Sequence, residues 1–255
     1  MATLKQQLRL YRDLIQTESN QSAQRFIIFG RGRSGSTALV SLLNCLPEVY
    51  CDGEILEQRV LWPQSYVRAK AHTVQACATV YGCKILSYQL RDIQHIAQGS
   101  NFLHQLNAAG FQIIYLRREN LLDHAISNIR ARSFGFHQGR TAHTWRQMKV
   151  YANPSTVVDW INKSHDLWDY ETSLLRGLPH LALTYEKDLA DEAQHQSTIN
   201  AICRYLSIQS KPVLSHYQKV SPQSLQASVA NYDELVDYLK YTPYYHYLPL
   251  ETVCR

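Results

Sequence analysis

The sequence predicts an α/β fold, a three-layer sandwich with a mostly parallel central sheet, and three observations predict it. Short, almost wholly apolar runs such as "RFIIF" (25–29) and "FQIIYL" (111–116) suit strands covered on both faces. Segments with helical spacing of apolar residues alternate with those runs. A glycine-rich turn, "GRGRSGST" (30–37), joins the first run to a helical segment. Strand–helix alternation with buried strands is the signature of helices layered on both faces of one sheet.

The elements follow in order. Leu4, Leu8, Tyr11 and Ile15 recur at helical spacing, which predicts an amphipathic opening helix over 2–17. After the strand at 25–29 and its loop, "TALVSLLNCL" (37–46) reads as an apolar helix stopped by Pro47. "TVYGCKILSY" (79–88) is the next strand, and "NFLHQLNAAG" (101–110) is a helix closed by Gly110. The clearest strand, 111–116, leads into "RRENLLDHAISNIRARS", which is strongly helical. A polar stretch from about 133 to 155 interrupts the alternation. "VVDWINKSHDLWDYETSLLRGL" (157–178) then resumes it as a long helix, and "HLALTYEKDL" (180–189) reads as strand then turn. Short helices and loops complete the chain, ending in the tyrosine-rich "YTPYYHYL". No internal repeat, low-complexity segment or linker is visible. The expectation is one domain over residues 1–255, with an insertion or cap at about 133–175.

Composition narrows the partners. Hydrophobic residues make up 45% of the 255, ordinary for a chain with a real core, and the net charge is +5. No Lys/Arg-rich arm is present, which disfavours nucleic acid as a partner. The six cysteines, at 45, 51, 77, 83, 203 and 254, form no C-x-x-C pair, and no Cys/His spacing matches a zinc site. The opening residues are broken by charges and lack the apolar region of a signal peptide. No stretch approaches the roughly 18 apolar residues of a membrane span. A cytoplasmic protein with reduced thiols is expected, with peripheral membrane association left open.

The glycine-rich turn carries the first chemical signal. A nucleotide-triphosphate loop reads G-x-x-x-x-G-K-[ST] after a strand. Here Gly30 to Thr37 satisfies both glycine positions, but Ser36 stands where the lysine belongs. The loop is still an anion cradle. Backbone N–H groups converge at the start of a helix, whose dipole contributes about half a positive charge. Ser34, Ser36 and Thr37 offer hydroxyls, and Arg31 and Arg33 bring charge. Without the lysine that bridges terminal phosphates, the loop is poorly suited to a Mg²⁺-bound triphosphate. A tight glycine turn capped by serines is the plainer alternative.

The second signal is "IIYLRRENLLDHAISNIRAR". Arginines just past the C-terminal end of a parallel strand project into the crevice where α/β folds bind ligands. On the helix that follows, Leu121, Leu122, Ala125, Ile126 and Ile129 share one face, while Asn120, His124 and Ser127 lie on the other. A strand-end arginine with a helix serine can hold a second phosphate. An amphipathic helix with a solvated polar face is the alternative.

Together "RGRSGSTAL" and "IIYLRRENLLDHAIS" resemble the two nucleotide motifs of sulfotransferases that use 3′-phosphoadenylyl sulfate (PAPS), particularly bacterial carbohydrate- and glycolipid-type members of that P-loop NTPase-like family. The resemblance implies that Arg33, Ser34, Gly35, Ser36 and Thr37 hold the 5′-phosphosulfate side. It likewise implies that Arg118 and Ser127 hold the 3′-phosphate. The arginine-to-serine interval is one residue longer than in many members, so Arg117 competes with Arg118. "LALTYEKDL" is similar to the family segment whose tyrosine lies near the adenine, which implicates Tyr185. "SPQSLQASVANYDEL" (221–235) is similar to a C-terminal segment of the bacterial members. A glutamate after the first helix is the base proposed in those members, and "GE" ending at Glu54 matches it.

The implied reaction moves a sulfuryl group from PAPS to a hydroxyl, most naturally of a carbohydrate or glycolipid, by in-line displacement. A sulfuryl group carries less charge than a phosphoryl group, so no metal is required to neutralise it. Glu54 is expected in a loop that returns it to the crevice as general base, with Asp52 and Glu57 as poorer-matched neighbours. Lys84 is read as a strand-end residue facing the sulfuryl group, with a solvated lysine as the alternative. His124, His137 and His143 are alternative bases. Phe134, Phe136, Trp145, Tyr151, Trp160 and Trp168 are candidates to line an acceptor pocket or simply to pack. The opening helix and the tyrosine-rich tail are candidate contacts for a homo-oligomer. Two other functions compete: a P-loop kinase-like phosphotransferase, and a nucleotide-binding module without catalysis.

Overall fold

The computed structural model describes residues 4–16, 24–74, 78–135, 142–214 and 224–249. Along the chain run α1 (Leu4–Gln16), β1 (Gln24–Gly30), α2 (Ser36–Leu43), β2 (Val49–Glu54), α3 (Pro63–Val74) and β3 (Val80–Leu86). A π-helical turn at Gln89–Ile93 precedes α4 (Gly99–Ala108), β4 (Phe111–Arg117), α5 (Leu121–Phe134), α6 (Ala142–Gln147) and α7 (Pro154–Leu175). The remainder is β5 (His180–Thr184), α8 (Tyr185–Asp188), α9 (His195–Leu206), α10 (Leu225–Ser228) and α11 (Tyr232–Leu239), with 3₁₀ turns at Glu192–Gln194 and Tyr245–Tyr247. Two compact units divide these residues: 1–117 with 171–217, and 118–170 with 218–255.

The first unit contains the sheet. Its five strands are all parallel, in the order β2-β3-β1-β4-β5. Alternate residues of the central strands point to opposite faces, and both sets are buried. Phe26 and Ile28 of β1 join Ile114 and Leu116 of β4 in a core with Leu39, Leu42 and Leu43 of α2 and Ile199, Ile202 and Leu206 of α9. Ile27, Phe29, Ile113 and Tyr115, on the opposite face, are buried too. α4 packs on β4, and α3 on β3. This is the expected α/β arrangement, helices flanking a parallel sheet.

Two elements escape the sequence pattern. β2 is an edge strand, "VYCDGE", whose exposure alternates and whose Asp52 and Gly53 are poor strand formers. α3 buries Tyr66, Val67, Ala69 and Ala71, so small residues supply much of its packed face.

The second unit is helical, with a single isolated bridge between Val150 and Val229 among its described residues. Its core joins Leu121, Leu122, Ala125 and Ile126 of α5 to Val157 and Ile161 of α7 and to Leu235, Val236 and Leu239 of α11. Phe134, Trp160 and Trp168 pack against that core, so these three candidate pocket aromatics are packing residues. Pro154 opens α7, where its missing N–H is no loss.

Candidate functional site

The site is built on the carboxyl ends of β1, β3 and β4 in the first unit. β1 stops at Gly30, level with Leu86 at the end of β3 and Leu116 near the end of β4. A β-carbon on Gly30 would lie 2.1 Å from the Leu116 carbonyl oxygen, so only glycine lets the chain leave the sheet here. The loop then turns through Arg33, a non-glycine residue in the left-handed region (φ 65°). Gly35 (φ 88°) is the N-cap of α2. It has no side chain with which to cap the first-turn N–H groups of α2, an arrangement that suits an anion.

Within that loop the serines divide their roles. The Ser34 hydroxyl is buried and donates to the Arg31 carbonyl at 2.7 Å, which makes it a brace of the turn. Ser36, at the position a lysine would hold, is buried, whereas Thr37 is exposed.

A cation nevertheless reaches the loop. Lys84 lies inside β3, two residues short of its end, paired with Ile28 of β1 on one side and Glu54 of β2 on the other. It lies within the strand, not at its end, and the alternative of a solvated lysine fails, because it is only 5% exposed. Its ammonium donates to Thr37 Oγ1 and to Glu54 Oε1, both at 3.3 Å. Glu54 is placed for this contact by an irregularity in β2. Pairing runs from Cys51 opposite Gly82 to Glu54 opposite Lys84, so β2 carries one extra residue, a bulge at Asp52–Gly53. In regular register Glu54 would lie opposite Ile85. Glu54 therefore belongs to a strand end, not to the loop expected from sequence.

The Glu54 carboxylate also accepts from Gln89 Nε2 (3.1 Å) and Tyr88 OH (3.5 Å), both on Oε2. A carboxylate offers about four lone-pair sites. Three are used, and the side chain is 28% exposed, which leaves one site open. Asp52, two residues earlier, accepts from Tyr81 OH at 3.0 Å and pairs with Lys70 at 3.1 Å, which commits it to structure.

Behind the loop lies a buried polar cluster that sequence did not reveal. Glu171 of α7 is fully buried. It accepts from Ser87 Oγ (2.7 Å) and Tyr115 OH (2.9 Å), and lies 3.5 Å from Arg31 Nε. Burial pushes the Glu171 carboxyl up, opposed by the Arg31 guanidinium and by the Ser87 and Tyr115 hydroxyls. Burial pushes the Arg31 guanidinium down, opposed by Glu171. The Tyr115 phenol is pushed up by burial and by the same carboxylate. Arg31, which begins the loop, is thus anchored to the strands through one shared carboxylate.

Tyr185 starts α8 immediately after β5, where Thr184 pairs with Arg117 at the end of β4. Its ring lies against Gly35: a β-carbon there would sit 2.5 Å from Tyr185 Cδ2. Arg117 thus projects from the same rim of the sheet as the loop and Tyr185.

Arg118, Ser127 and the rest of α5 belong to the second unit. Asn120 caps α5 through its side chain, accepting from Asp123 N at 2.9 Å. Arg118 Nη2 lies 3.8 Å from Asp123 Oδ2. The polar face of α5 is not solvated: His124, Ser127 and Arg130 are all buried. His124 packs edge-on against Trp160, with centroids 4.9 Å apart. Arg130 donates to the carbonyls of Met148 and Ser228. These contacts make His124 and Arg130 internal packing and bonding groups of that unit. Tyr151 is exposed and donates to Glu234 at 3.2 Å.

Phe136 and His137 lie outside the described residues, as do the His143 and Trp145 side chains, Cys77, Cys254 and residues 221–223. Among the described residues, no group of three His, Cys, Asp or Glu side chains is arranged to hold a metal ion. No family model matches the chain, and no curated protein matches it in sequence.

Proposed function

We propose that the chain is a sulfotransferase of P-loop NTPase-like fold that moves the sulfuryl group of PAPS onto a hydroxyl, the acceptor being a carbohydrate or glycolipid. The observation that carries this reading is the Lys84 ammonium, 3.3 Å from Thr37 Oγ1. Thr37 occupies the hydroxyl position that binds Mg²⁺ in a triphosphate loop. A fixed positive charge against that oxygen repels a divalent cation and attracts an anion. The lysine absent from position 36 is thereby supplied from a neighbouring strand, at a place suited to a metal-free phosphosulfate.

The residues then take these roles. The N-terminus of α2, with Ser36, Thr37 and Lys84, stabilises charge growing on the departing 5′-phosphate. Arg33, Ser34 and Gly35 shape the cradle. Tyr185 packs beside the adenine, and Arg117, at the strand end of the same unit, takes the 3′-phosphate. Glu54 receives the acceptor's proton. An O–S bond to the acceptor forms, the bond from sulfur to the 5′-phosphate oxygen breaks, and its electron pair leaves with 3′,5′-adenosine bisphosphate. Holding acceptor, base and donor in one cradle supplies the positional part of the rate.

Titration calorimetry with 3′,5′-adenosine bisphosphate against ATP–Mg²⁺ tests this. Tighter binding of the bisphosphate is expected. Preference for ATP–Mg²⁺ indicates the kinase-like function instead, and indifference to the 3′-phosphate removes the PAPS reading. Glu54→Gln should lower turnover about 10²- to 10⁴-fold while leaving bisphosphate affinity unchanged. A pure nucleotide-binding module shows no turnover to lose.

A further inference from the structure

The opening helix leaves two leucines of its apolar stripe uncovered. Sequence places Leu4, Leu8, Tyr11 and Ile15 on one face, but α1 buries a neighbouring line, with Gln7 and Tyr11 inside. Leu4 remains 59% exposed and Leu8 47%. Large aliphatic side chains that face water on a helix already packed against α3 are unusual unless something else covers them.

A second segment extends the same surface. Leu61 and Trp62, just before α3, are 51% and 55% exposed. The Leu61 N–H donates to Gln7 Oε1 at 3.3 Å, and the Trp62 ring meets Tyr11 edge-on at 5.1 Å. Gln7 and Tyr11 stand three residues beyond Leu4 and Leu8 respectively, one turn along adjoining ridges of α1. The Leu61 backbone and the Trp62 ring therefore adjoin Gln7 and Tyr11, the helix neighbours of Leu4 and Leu8, which places the four exposed apolar side chains on adjoining parts of one surface.

Charge specifies what covers them. Lys5, Arg9 and Arg12 each follow a member of the apolar stripe by one residue, so a basic stripe lies about 100° further round α1. All three are exposed, as are Arg59 and Arg68 in the segment and helix beside them. Besides these five cations and Lys70, which pairs with Asp52, α1, residues 55–62 and α3 carry two acids, Asp13 and Glu57. Asp13 lies 3.4 Å from Arg12, on the far side from the leucines. An apolar strip with an interfacial tryptophan, bordered by long cationic side chains, is the pattern of a helix lying in a bilayer surface. A symmetric contact with a second copy would set five cations against the same five.

We infer that Leu4, Leu8, Leu61 and Trp62, with the basic stripe of α1, form a docking surface for an anionic lipid bilayer. The apolar side chains enter the headgroup boundary, and Lys5, Arg9 and Arg12 reach the lipid phosphates. This holds apart from the sulfuryl-transfer reading, because it is measured without turnover.

Co-sedimentation of the full chain with vesicles tests it. Binding is expected to an equal mixture of phosphatidylcholine and phosphatidylglycerol, little to phosphatidylcholine alone. It should be lost in 1 M salt, where the screening length falls to about 3 Å. Leu8→Glu should weaken partitioning about tenfold or more, since a half-exposed leucine no longer enters the boundary. Its far-ultraviolet dichroism and melting should match the parent chain. Lys5→Glu/Arg9→Glu, at exposed positions, should abolish the preference for anionic vesicles, and Trp62→Phe should remove the lipid-induced blue shift in emission. Absence of vesicle binding overturns the proposal, as does binding unchanged by Leu8→Glu. A concentration-dependent dimer in light scattering that Leu8→Glu dissolves assigns the surface to a second copy and likewise overturns it.

Discussion

Gly35→Ala is the substitution whose cost the structure states most directly, because two separate penalties meet there. The backbone at φ 88°, ψ 5° lies in the left-handed region, which costs a residue with a β-carbon roughly 1–2 kcal/mol. The added methyl would also lie 2.5 Å from Tyr185 Cδ2 and 3.1 Å from Cε2, well inside contact distance. Tyr185 packs on the core of the first unit, so displacing its ring resembles overpacking, about 1–3 kcal/mol. The sum is about 2–5 kcal/mol, a large share of the roughly 5–15 kcal/mol that holds a typical domain together. Urea unfolding with Gly35→Ala, Tyr185→Ala and the double variant separates the penalties. In the Tyr185→Ala background the clash is gone, and Gly35→Ala should cost only the backbone share of about 1–2 kcal/mol. Calorimetry with the bisphosphate should show binding lost in Gly35→Ala, because the ring and the first turn of α2 can no longer keep their spacing. If Gly35→Ala unfolds within about 0.5 kcal/mol of the parent, the range of an inert surface change, the described loop geometry is wrong. Equal costs in both backgrounds would place the ring elsewhere.

Two further outcomes follow from the buried ionic groups. Lys84→Met keeps the bulk of a mostly buried side chain but strips Thr37 and Glu54 of their shared cation. It should lower turnover about 10²- to 10³-fold, the loss typical of one transition-state donor, and unchanged turnover would remove Lys84 from the mechanism. Glu171→Gln replaces the carboxylate shared by Arg31, Ser87 and Tyr115 and should cost about 1–3 kcal/mol near pH 4.5. Burial raises the Glu171 carboxyl above its ordinary 4.5, so the folded chain binds that proton more readily than the unfolded one. The stability it contributes is complete below pH 4.5 and declines as pH rises through the folded value. The gap between parent and variant should therefore narrow with rising pH, and a widening gap in denaturant titrations would show that the Arg31 attraction outweighs burial.

Local signals made β1, its loop, α2 and β4 legible, because an apolar strand, a glycine turn and an apolar helix are contiguous patterns. For the polar face of α5, spacing alone left a solvated face open as the alternative. Spacing shows which residues share a face, not what lies against it, and His124, Ser127 and Arg130 prove to be buried. The same gap applies to the opening helix, where Tyr11 is buried while Leu4 and Leu8 of the same stripe face outward. β2 was hidden by Asp52 and Gly53, the residues that form its bulge.

By itself the sequence determined the α/β class, the glycine loop and the absence of a lysine at position 36. Each is written in consecutive residues and depends on chain chemistry alone. Only the tertiary structure decided what replaces that lysine. Lys84 meets Thr37 across 47 positions and Glu54 across 30, while Glu171 reaches Ser87 across 84 and Tyr115 across 56. Such partners have no common period or motif. They are neighbours because strand order and a one-residue bulge carry them to the same rim, and a bulge changes which side chain faces which without leaving a pattern in composition.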